Sequence, residues 1–299
     1  MLARLVTAPP AGDGWVYERK LDGLRCIAVR HGRSVDLWSR SQQPFTARFS
    51  GIAAAVAELS ADDVVLDGEI VALEGDRTSF SLLQRPGSTA IPLLYVFDVL
   101  HLAGRDLTGW PLLERKRCLE EVVDERGVLR QVRHVEGDPQ ALLPRACADG
   151  WEGLIAKRAD GPYRSGRSSD WLKLKCSASQ ELVIGGWTEP RGSRVGFGAL
   201  LVGYYDAEGL RYAGKVGTGF DTATLVDLHH RMTSRARPTS PFVDRVREKG
   251  AQWTEPDLVA NIAFTEWTED GKLRHPRFEG LRPDKDPRTV TRETPPASS

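Results

Sequence analysis

Apolar and charged side chains alternate in the first patterned stretch of the chain. In residues 15–20, Trp-Val-Tyr-Glu-Arg-Lys, they interleave as on a strand whose two faces have different surroundings. The Asp-Gly pair that follows predicts a turn. Residues 24–30 and 35–39 predict two more strands. The pattern therefore places Lys20 at the end of a strand, beside a turn.

The rest of the first half alternates predicted helices with predicted strands. We expect strands over residues 64–73, 91–102, 129–135, 151–158 and 171–176, and helices over residues 51–59 (capped by Ser50), 111–126 and 139–148. In the last strand a period of two puts Lys173 and Lys175 on one face. Two ammonium groups on one face repel each other unless an anion lies between them. The alternative is a pair of solvated lysines on an edge strand.

The second half changes character after the polar stretch 177–180, where the hinge of a two-domain chain is expected. Short strands are predicted over residues 181–187, 198–205, 210–216 and 257–267, with one helix that Asp221 caps. Such a set fits a small Greek-key barrel of the oligonucleotide-binding (OB) kind. We therefore expect an α+β chain with domains 1–178 and 179–288 and a disordered tail, 289–299.

Composition excludes several classes of protein. No apolar run approaches the eighteen residues of a membrane span, so we expect a cytoplasmic protein without a membrane partner. The four cysteines are far apart and form no Cys-x-x-Cys pair, which argues against a disulfide framework and a zinc finger. We interpret them as buried thiols.

Charge is balanced overall but segregated along the chain. Lys plus Arg and Asp plus Glu number 41 each. Residues 61–76 carry six acidic residues and no basic one, whereas residues 151–175 and 272–288 each carry six basic and three acidic residues. A chain of this kind can hold a metal ion in one place and phosphates in another. Within the acidic segment, Glu69 stands in an apolar strand pattern, where a solvated edge charge is the alternative to a functional group.

Lys20 is the candidate nucleophile. An unperturbed lysine has a pKa of about 10.4, so a neutral amine at pH 7 requires cationic neighbours or burial. Arg25 and a bound divalent metal ion are the expected sources of that field. The alternative interpretation of this stretch is a hairpin turn with surface charges.

Seven short motifs occur along the chain in one order. They are Glu18-x-Lys20-x-Asp22-Gly23-x-Arg25, Ser39-Arg40, Asp67-Gly68-Glu69, Phe97-Asp98, Glu152-Gly153-Leu154-Ile155-x-Lys157, Trp171-x-Lys173-x-Lys175 and Arg282-Pro283-Asp284-Lys285. Together they resemble the motifs of the covalent nucleotidyltransferases, and among these the ATP-dependent DNA ligases of the bacterial end-joining (ligase D) type. The resemblance covers residues 15–288.

The resemblance implies a fold and a reaction. The fold is a nucleotidyltransferase domain of antiparallel sheets flanked by helices, followed by an OB β-barrel. Lys20 would attack the α-phosphorus of ATP and hold AMP as a phosphoramidate. The AMP would pass to the 5′-phosphate of nicked double-stranded DNA, and the 3′-hydroxyl would displace it.

The same resemblance implies roles for the other motif residues. Glu69 and Glu152 would bind Mg²⁺ or Mn²⁺. Phe97 would stack on adenine; the alternative interpretation is that it is a residue of the hydrophobic core. The remaining ATP- or AMP-binding residues would be Glu18, Arg25, Arg40, Glu69, Lys157, Arg167, Lys173, Lys175, Arg282 and Lys285. Because Arg282 and Lys285 belong to the second domain, that domain would close over ATP for the first step and open before DNA enters.

The resemblance also implies partners and leaves rival readings. A monomer without the polymerase and phosphoesterase modules that accompany this ligase type would work with separate repair proteins and, by analogy, with a Ku-type end-binding protein, near the nucleoid. The nearest rival is an mRNA-capping guanylyltransferase. An RNA ligase and a scaffold that has lost catalysis are further alternatives, and an NAD-dependent ligase is disfavoured because zinc cysteines are absent.

Overall fold

The computed structural model describes residues 1–84, 89–125, 127–176, 178–190, 192 and 194–293. The chain forms two compact units, residues 1–176 and 178–293 of the described chain. The predicted boundary at residue 178 lies close to this division. The expected hinge residue Ser177 lies outside the described residues.

The first unit contains thirteen strands and four helices within the described residues. In chain order they are β1 (Leu2–Leu5), β2 (Trp15–Arg19), β3 (Leu24–His31), β4 (Ser34–Ser39), α1 (Ser50–Ala57), β5 (Asp63–Val71), β6 (Leu73–Glu74), β7 (Arg77–Thr78), α2 (Phe80–Gln84), β8 (Leu93–Leu102), β9 (Arg105–Asp106), α3 (Leu112–Val122), β10 (Leu129–Gln131), β11 (His134–Val135), α4 (Pro139–Ala148), β12 (Gly153–Arg158) and β13 (Arg167–Lys175).

Two sheets form the body of this unit. The first has the strand order β1-β13-β12-β2-β11, and the second has the order β10-β8-β5-β3-β4 with β9 beside β8. All neighbours are antiparallel except the pairs β1–β13 and β10–β8. The prediction of antiparallel sheets flanked by helices is confirmed.

Each sheet packs one face against helices. Apolar residues of β3, β5 and β8 form the larger core with α1 and α3. The first sheet buries Tyr17, Leu154 and Leu174 with Ala146 of α4. A small apolar cluster that includes Phe97 of the second sheet and Trp171 of the first lies between the two sheet faces that point away from the helices. These inner faces therefore lie against each other, and they are the ones that carry the motifs.

The second unit contains a six-stranded antiparallel sheet. Its elements are β14 (Ala178–Thr188), β15 (Leu200–Tyr205), β16 (Leu210–Val216), α5 (Thr222–Thr233), β17 (Ala236–Arg237), β18 (Ala251–Phe264), β19 (Glu266–Trp267), β20 (Leu273–Arg274) and β21 (Arg277–Leu281). The sheet order is β16-β15-β14-β18-β17, with β21 also paired to β18. Among the described strands no pairing joins β16 to the opposite edge, so a closed barrel is not formed by hydrogen bonds. Helix α5 packs on one face of the sheet.

Several local predictions need correction. Ser50 is the first residue of α1 rather than its cap, which is Phe49 without a side-chain hydrogen bond. Helix α3 ends at Val122, four residues earlier than expected. The tail was expected to be disordered from Thr289, but Val290 is buried in the second unit against apolar residues such as Val183, so the fold extends further.

The cysteine interpretation was half wrong. Cys26 and Cys118 are free thiols, whereas Cys147 in α4 and Cys176 after β13 form a disulfide with a Cα–Cα distance of 5.3 Å. Sequence separation hid this pair, because the two residues meet only when α4 packs against the first sheet. Among the described residues, no helix is long and apolar enough to cross a membrane.

Candidate active site

The inner face of the first sheet carries four lysines. Strand β12 pairs with β2 on one side and β13 on the other, so that Lys157 lies opposite Trp171, and Ile155 lies between Glu18 and Lys173. Side chains directly opposite each other in a ladder point to the same face. With the alternation along each strand, Lys20, Lys157, Lys173 and Lys175 therefore share one face.

Lys20 forms an ion pair with Glu152. The distance from Lys20 Nζ to Glu152 Oε1 is 2.5 Å, and the backbone amide of Lys20 donates to the carbonyl of Gly153 at 2.9 Å. Both side chains are mostly buried. The motif of Lys20 and the motif of Glu152 are thus joined at the end of β2 by a side-chain ion pair and a backbone hydrogen bond.

The surroundings of Lys20 differ from the prediction. Burial is the largest single effect and lowers the pKa of its amine, but the carboxylates of Glu152, Asp22 and Glu69 together raise it by more, so that the net shift is upward. The expected cationic neighbour, Arg25, is bound instead to Asp67 at 2.5 Å. The chain by itself therefore holds Lys20 as an ammonium ion, and positive charge must come from elsewhere to release the amine.

Two motif glycines are required by close backbone approach. A Cβ on Gly153 would lie 1.9 Å from the carbonyl oxygen of Leu174, and its φ of 149° disfavours other residues. A Cβ on Gly23 would lie 2.2 Å from the carbonyl oxygen of Ile70. These glycines let β12 approach β13 and let the turn after Lys20 approach β5.

Glu18 is buried between two lysines. Its carboxylate oxygens lie 2.6 Å from Lys116 Nζ and 2.6 Å from Lys157 Nζ, and Glu18 itself is 2% exposed. Burial raises the pKa of Glu18, but Lys116 and then Lys157 lower it more, so the net shift is downward. Lys116 also donates to the carbonyl of Val132 at 2.8 Å. This network fixes the carboxylate in its charged form.

Lys157 lies against two aromatic rings. Its Nζ is 4.0 Å from the ring centroid of Trp171 and 4.6 Å from that of Phe97. Burial lowers its pKa to about 8, Lys116 adds to that effect, and Glu18 opposes it. Phe97 is 8% exposed and lies in the small cluster between the sheets, where an aromatic face meets cations.

The inner face of the second sheet presents Arg25 and Glu69. They are directly opposite each other on β3 and β5. Asp67 accepts two hydrogen bonds of 2.5 Å from Arg25 and one of 2.7 Å from the hydroxyl of Tyr163. The guanidinium carbon of Arg25 is 4.5 Å from the ring centroid of Phe97. Asp67 and Tyr163 therefore hold the Arg25 side chain in place.

A second buried ion pair supports the Phe97 position. Asp98 accepts hydrogen bonds of 2.7 and 2.9 Å from Arg115, and both side chains are fully buried. Arg115 also donates to the carbonyl of Gly161 at 3.1 Å. The pair thus joins β8, α3 and the segment that follows β12, and it orders the backbone on both sides of the site.

Sequence reasoning missed Arg115, Lys116 and Tyr163. A signal for the first two was present, because a helical period places residues 115 and 116 on the same stripe as Leu112 and Leu119. Charged residues on the buried stripe of a helix require buried partners. The Tyr163 contact had no signal in the sequence, since it spans 96 residues.

Some predicted residues lie outside this cluster. Arg40 is exposed in the turn after β4, and Arg167 is exposed at the first residue of β13, where it donates to the Ala3 carbonyl at 3.4 Å. Arg282 and Lys285 belong to the second unit. There Arg282 makes two hydrogen bonds of 2.9 Å to Asp284, and Lys285 lies 2.9 Å from Glu181.

The site offers carboxylates for a divalent cation but no complete cage. Within the described chain, no three His, Cys, Asp or Glu side chains are grouped so that they could hold a metal ion. Mg²⁺ is commonly bound by one or two carboxylates together with substrate phosphates and water. Glu69 and Glu152, which both raise the pKa of Lys20, suit that kind of binding.

Two facing sheets with a lysine between carboxylates and further cations define the class of protein. The fold is that of a covalent nucleotidyltransferase. The model of the ATP dependent DNA ligase domain matches residues 1–175, and that of the ATP dependent DNA ligase C terminal region matches residues 193–285. The chain therefore belongs to the ATP-dependent DNA ligase family.

Individual relatives agree with this assignment. The multifunctional non-homologous end joining protein LigD of Pseudomonas aeruginosa is 41% identical over 306 residues, which cover 98% of this chain and 36% of that protein. The LigD protein of Mycobacterium tuberculosis H37Rv is 37% identical, over 93% of this chain and 37% of that one. The chain thus spans about a third of the length of these relatives.

Solved structures give the same result. A mycobacterial DNA ligase D complexed with ATP and MES has a TM-score of 0.69 at 34% identity, over 98% of both chains. The ligase domain of M. tuberculosis LigD has a TM-score of 0.51 at 36% identity, also over 98% of both chains. The predicted family and its two-part fold are confirmed.

Proposed function

We propose that Lys20 of this chain takes AMP from ATP and that the chain then seals nicks in double-stranded DNA. In the first step the Lys20 nitrogen forms a bond to the α-phosphorus, and the bond from that phosphorus to pyrophosphate breaks. In the second step a 5′-phosphate oxygen of the nick takes the AMP from Lys20. In the third step the 3′-hydroxyl attacks the 5′-phosphorus and AMP leaves.

One observation carries the proposal: Lys20 lies 2.5 Å from Glu152 on the sheet face that also presents Lys157, Lys173 and Lys175. Phosphoryl transfer depends mainly on in-line positioning and on fixed charge near the phosphate oxygens. The three lysines supply that charge for the α-phosphate. Opposite them, Phe97 offers a ring for the adenine.

The metal ion is part of the proposal. Glu69 and Glu152 would hold Mg²⁺ or Mn²⁺, whose charge would lower the pKa of Lys20 and neutralise the pyrophosphate. The Glu152 carboxylate also holds the Lys20 ammonium in position. Arg25, Arg40, Glu18 and Arg167 would bind the nucleotide or the nick, and Arg282 and Lys285 would reach the pyrophosphate when the second unit closes.

The biological setting is also a proposal. The names of the LigD relatives support a role in end joining. A Ku-type end-binding protein and polymerase or phosphoesterase repair activities are the proposed partners. A monomer that acts on chromosomal DNA in the cytoplasm, at the nucleoid, fits this role.

Mass spectrometry of the intact protein tests the first step. After incubation with ATP and Mg²⁺ we expect the mass to rise by one AMP, and peptide mapping should place the adduct on Lys20. Lys20→Arg should carry no adduct, whereas the control Lys215→Arg should react like the wild type. An adduct on another residue would overturn the proposal. Adduct formation from GTP rather than ATP would overturn it in favour of a guanylyltransferase.

A nicked duplex tests the later steps. The wild-type protein should seal a 5′-phosphorylated nick in the presence of ATP and Mg²⁺, and Lys20→Arg should seal only a nick that is already adenylated. A protein that forms the AMP adduct but leaves every nicked duplex open would contradict DNA as the acceptor.

A further inference from the structure

A segment of the second unit lies along the edge strand β16. This segment, residues 244–249, is called the strap. At its start Asp244 accepts hydrogen bonds from the Tyr212 amide at 2.7 Å and from Arg211 at 3.2 Å. Near its end Glu248 accepts one from Lys215 at 2.9 Å. The anchors are four residues apart on the strap and three to four residues apart on β16, so the strap runs alongside this strand.

Side chains of the strap alternate between two directions. Asp244 and Glu248 face β16, and Val246 is partly buried in the core of that side of the sheet. Between them, Arg245, Arg247 and Lys249 are exposed. None of these three makes a hydrogen bond or ion pair with another residue that the structure describes. The acidic side chains of the strap therefore attach it to the sheet and stay partly exposed, whereas its most exposed side chains are all cationic.

The spacing of these cations fits a nucleic-acid backbone. At about 3.3 Å per extended residue, positions 245 to 249 span roughly 13 Å. One strand of B-DNA carries a phosphate about every 3.4 Å of helix axis, hence about four phosphates over that length. Three like charges held in a row by a rigid anchor repel one another, and a polyanion removes that repulsion. Arg and Lys in such rows bind phosphates without reading base sequence.

We propose that the strap binds the phosphate backbone of duplex DNA through Arg245, Arg247 and Lys249. The inference rests on the proposed function in that it names a surface for the DNA substrate. It assigns the strap to DNA affinity and gives it no part in the reaction of Lys20 with ATP. An acidic protein would be a different partner, and a strap variant that binds nicked DNA like the wild type would favour that partner over DNA.

The experiment is a salt titration of nicked-duplex binding by fluorescence anisotropy. The triple variant Arg245→Gln, Arg247→Gln, Lys249→Gln is compared with the wild type and with a control that loses the same charge from exposed sites in the first unit, Arg33→Gln, Arg105→Gln and Arg117→Gln. For three lost phosphate contacts, the slope of log K against log salt should become shallower by about 2.7. Affinity near physiological salt should fall by about ten-fold or more.

Further variants keep the result interpretable. A strap with Arg245→Lys and Arg247→Lys should retain the wild-type slope, and each single Gln variant should lose about 0.9 of it. Formation of the AMP adduct should be unchanged in all of them. If the triple variant fails to fold, the single variants provide the same test.

The outcomes distinguish the two proposals. Wild-type protein that does not bind or seal nicked DNA would refute the proposed function. Wild-type protein that binds, together with a triple variant of equal slope and affinity, would refute the strap proposal alone. Loss of slope in the first-unit control but not in the strap variant would also refute it.

Discussion

Lys20 shows how a reactive residue can be fixed in place before it is reactive. Its contact with Glu152 raises the pKa of the amine, which is opposite to what nucleophilic attack requires. The ion pair nevertheless places the nitrogen on the face where the other lysines would bind a phosphate. We infer that positioning is provided by the chain, whereas activation depends on the charge that accompanies ATP.

Lys157 differs from Lys20 because its pKa is lowered, to about 8, and burial is the largest cause. A lysine whose pKa is lower in the folded than in the unfolded state destabilises the fold below pH 8, where both states are charged. The folded protein releases this proton first as pH rises, so stability increases between about pH 8 and the unfolded pKa near 10.4.

We therefore expect a pH-dependent difference between wild type and Lys157→Met. From pH 8 to pH 10.4 the unfolding free energy of the wild type should rise relative to the variant by on the order of 1–3 kcal/mol. Urea denaturation at a series of pH values measures this. The exposed Lys249→Met serves as control and should run parallel to the wild type. A constant difference between wild type and Lys157→Met across this range would contradict the assignment.

At the scale of elements, the site depends on how β12 and β13 approach each other. Gly153 permits a contact that any side chain would block, and it follows directly after Glu152. The next residue after Lys175 is Cys176, whose amide donates to the Glu152 carbonyl at 3.0 Å. The disulfide to Cys147 therefore attaches α4 beside the backbone that carries Glu152.

The disulfide should contribute to stability. It closes a loop with a sequence separation of 29, for which the chain-entropy model gives about 3.6 kcal/mol. Cys147→Ser should lower the unfolding free energy by about that amount and make it insensitive to reductant. The protein purified without reductant should show two reactive thiols after denaturation rather than four. Four reactive thiols, or wild-type stability unaffected by reductant, would be the contrary result.

At the scale of the whole molecule, the motif residues are divided between two units. The residues around Lys20 belong to the first unit, whereas Arg282 and Lys285 are held by Asp284 and Glu181 in the second. In the proposed closure model, the second unit would bring both cations to the pyrophosphate for the first step and would open before DNA enters.

Separate assays of the reaction steps test this movement. Arg282→Ala or Lys285→Ala should reduce AMP adduct formation at least ten-fold while the sealing of a pre-adenylated nick is largely retained. The exposed Arg231→Ala of α5 is the control and should leave both steps unchanged. Equal loss of both steps in the Arg282 and Lys285 variants would contradict the closure model.

Local pattern determined much of the fold and of the site. The alternation in β2 and β13 placed Lys20 at the end of a strand and Lys173 and Lys175 on one, and helix α4 and strand β16 occupy the predicted residues. Asp221 caps α5 as predicted, through a hydrogen bond to the Thr224 amide. These features depend on neighbours within a few residues, so the sequence alone contains the information.

Only the tertiary structure decided which charges meet. The Glu18 pair with Lys116, the bond of Arg25 to Asp67 and the Cys147–Cys176 disulfide join residues that are distant in sequence. Each depends on the order in which strands pair and on which elements pack against each other, and no local pattern encodes either. Burial and the charges that packing brings alongside then decide the pKa values together: burial prevails at Lys157, and the neighbouring charges prevail at Lys20 and Glu18. The sequence thus determined which residues could do the chemistry, and packing determined their partners.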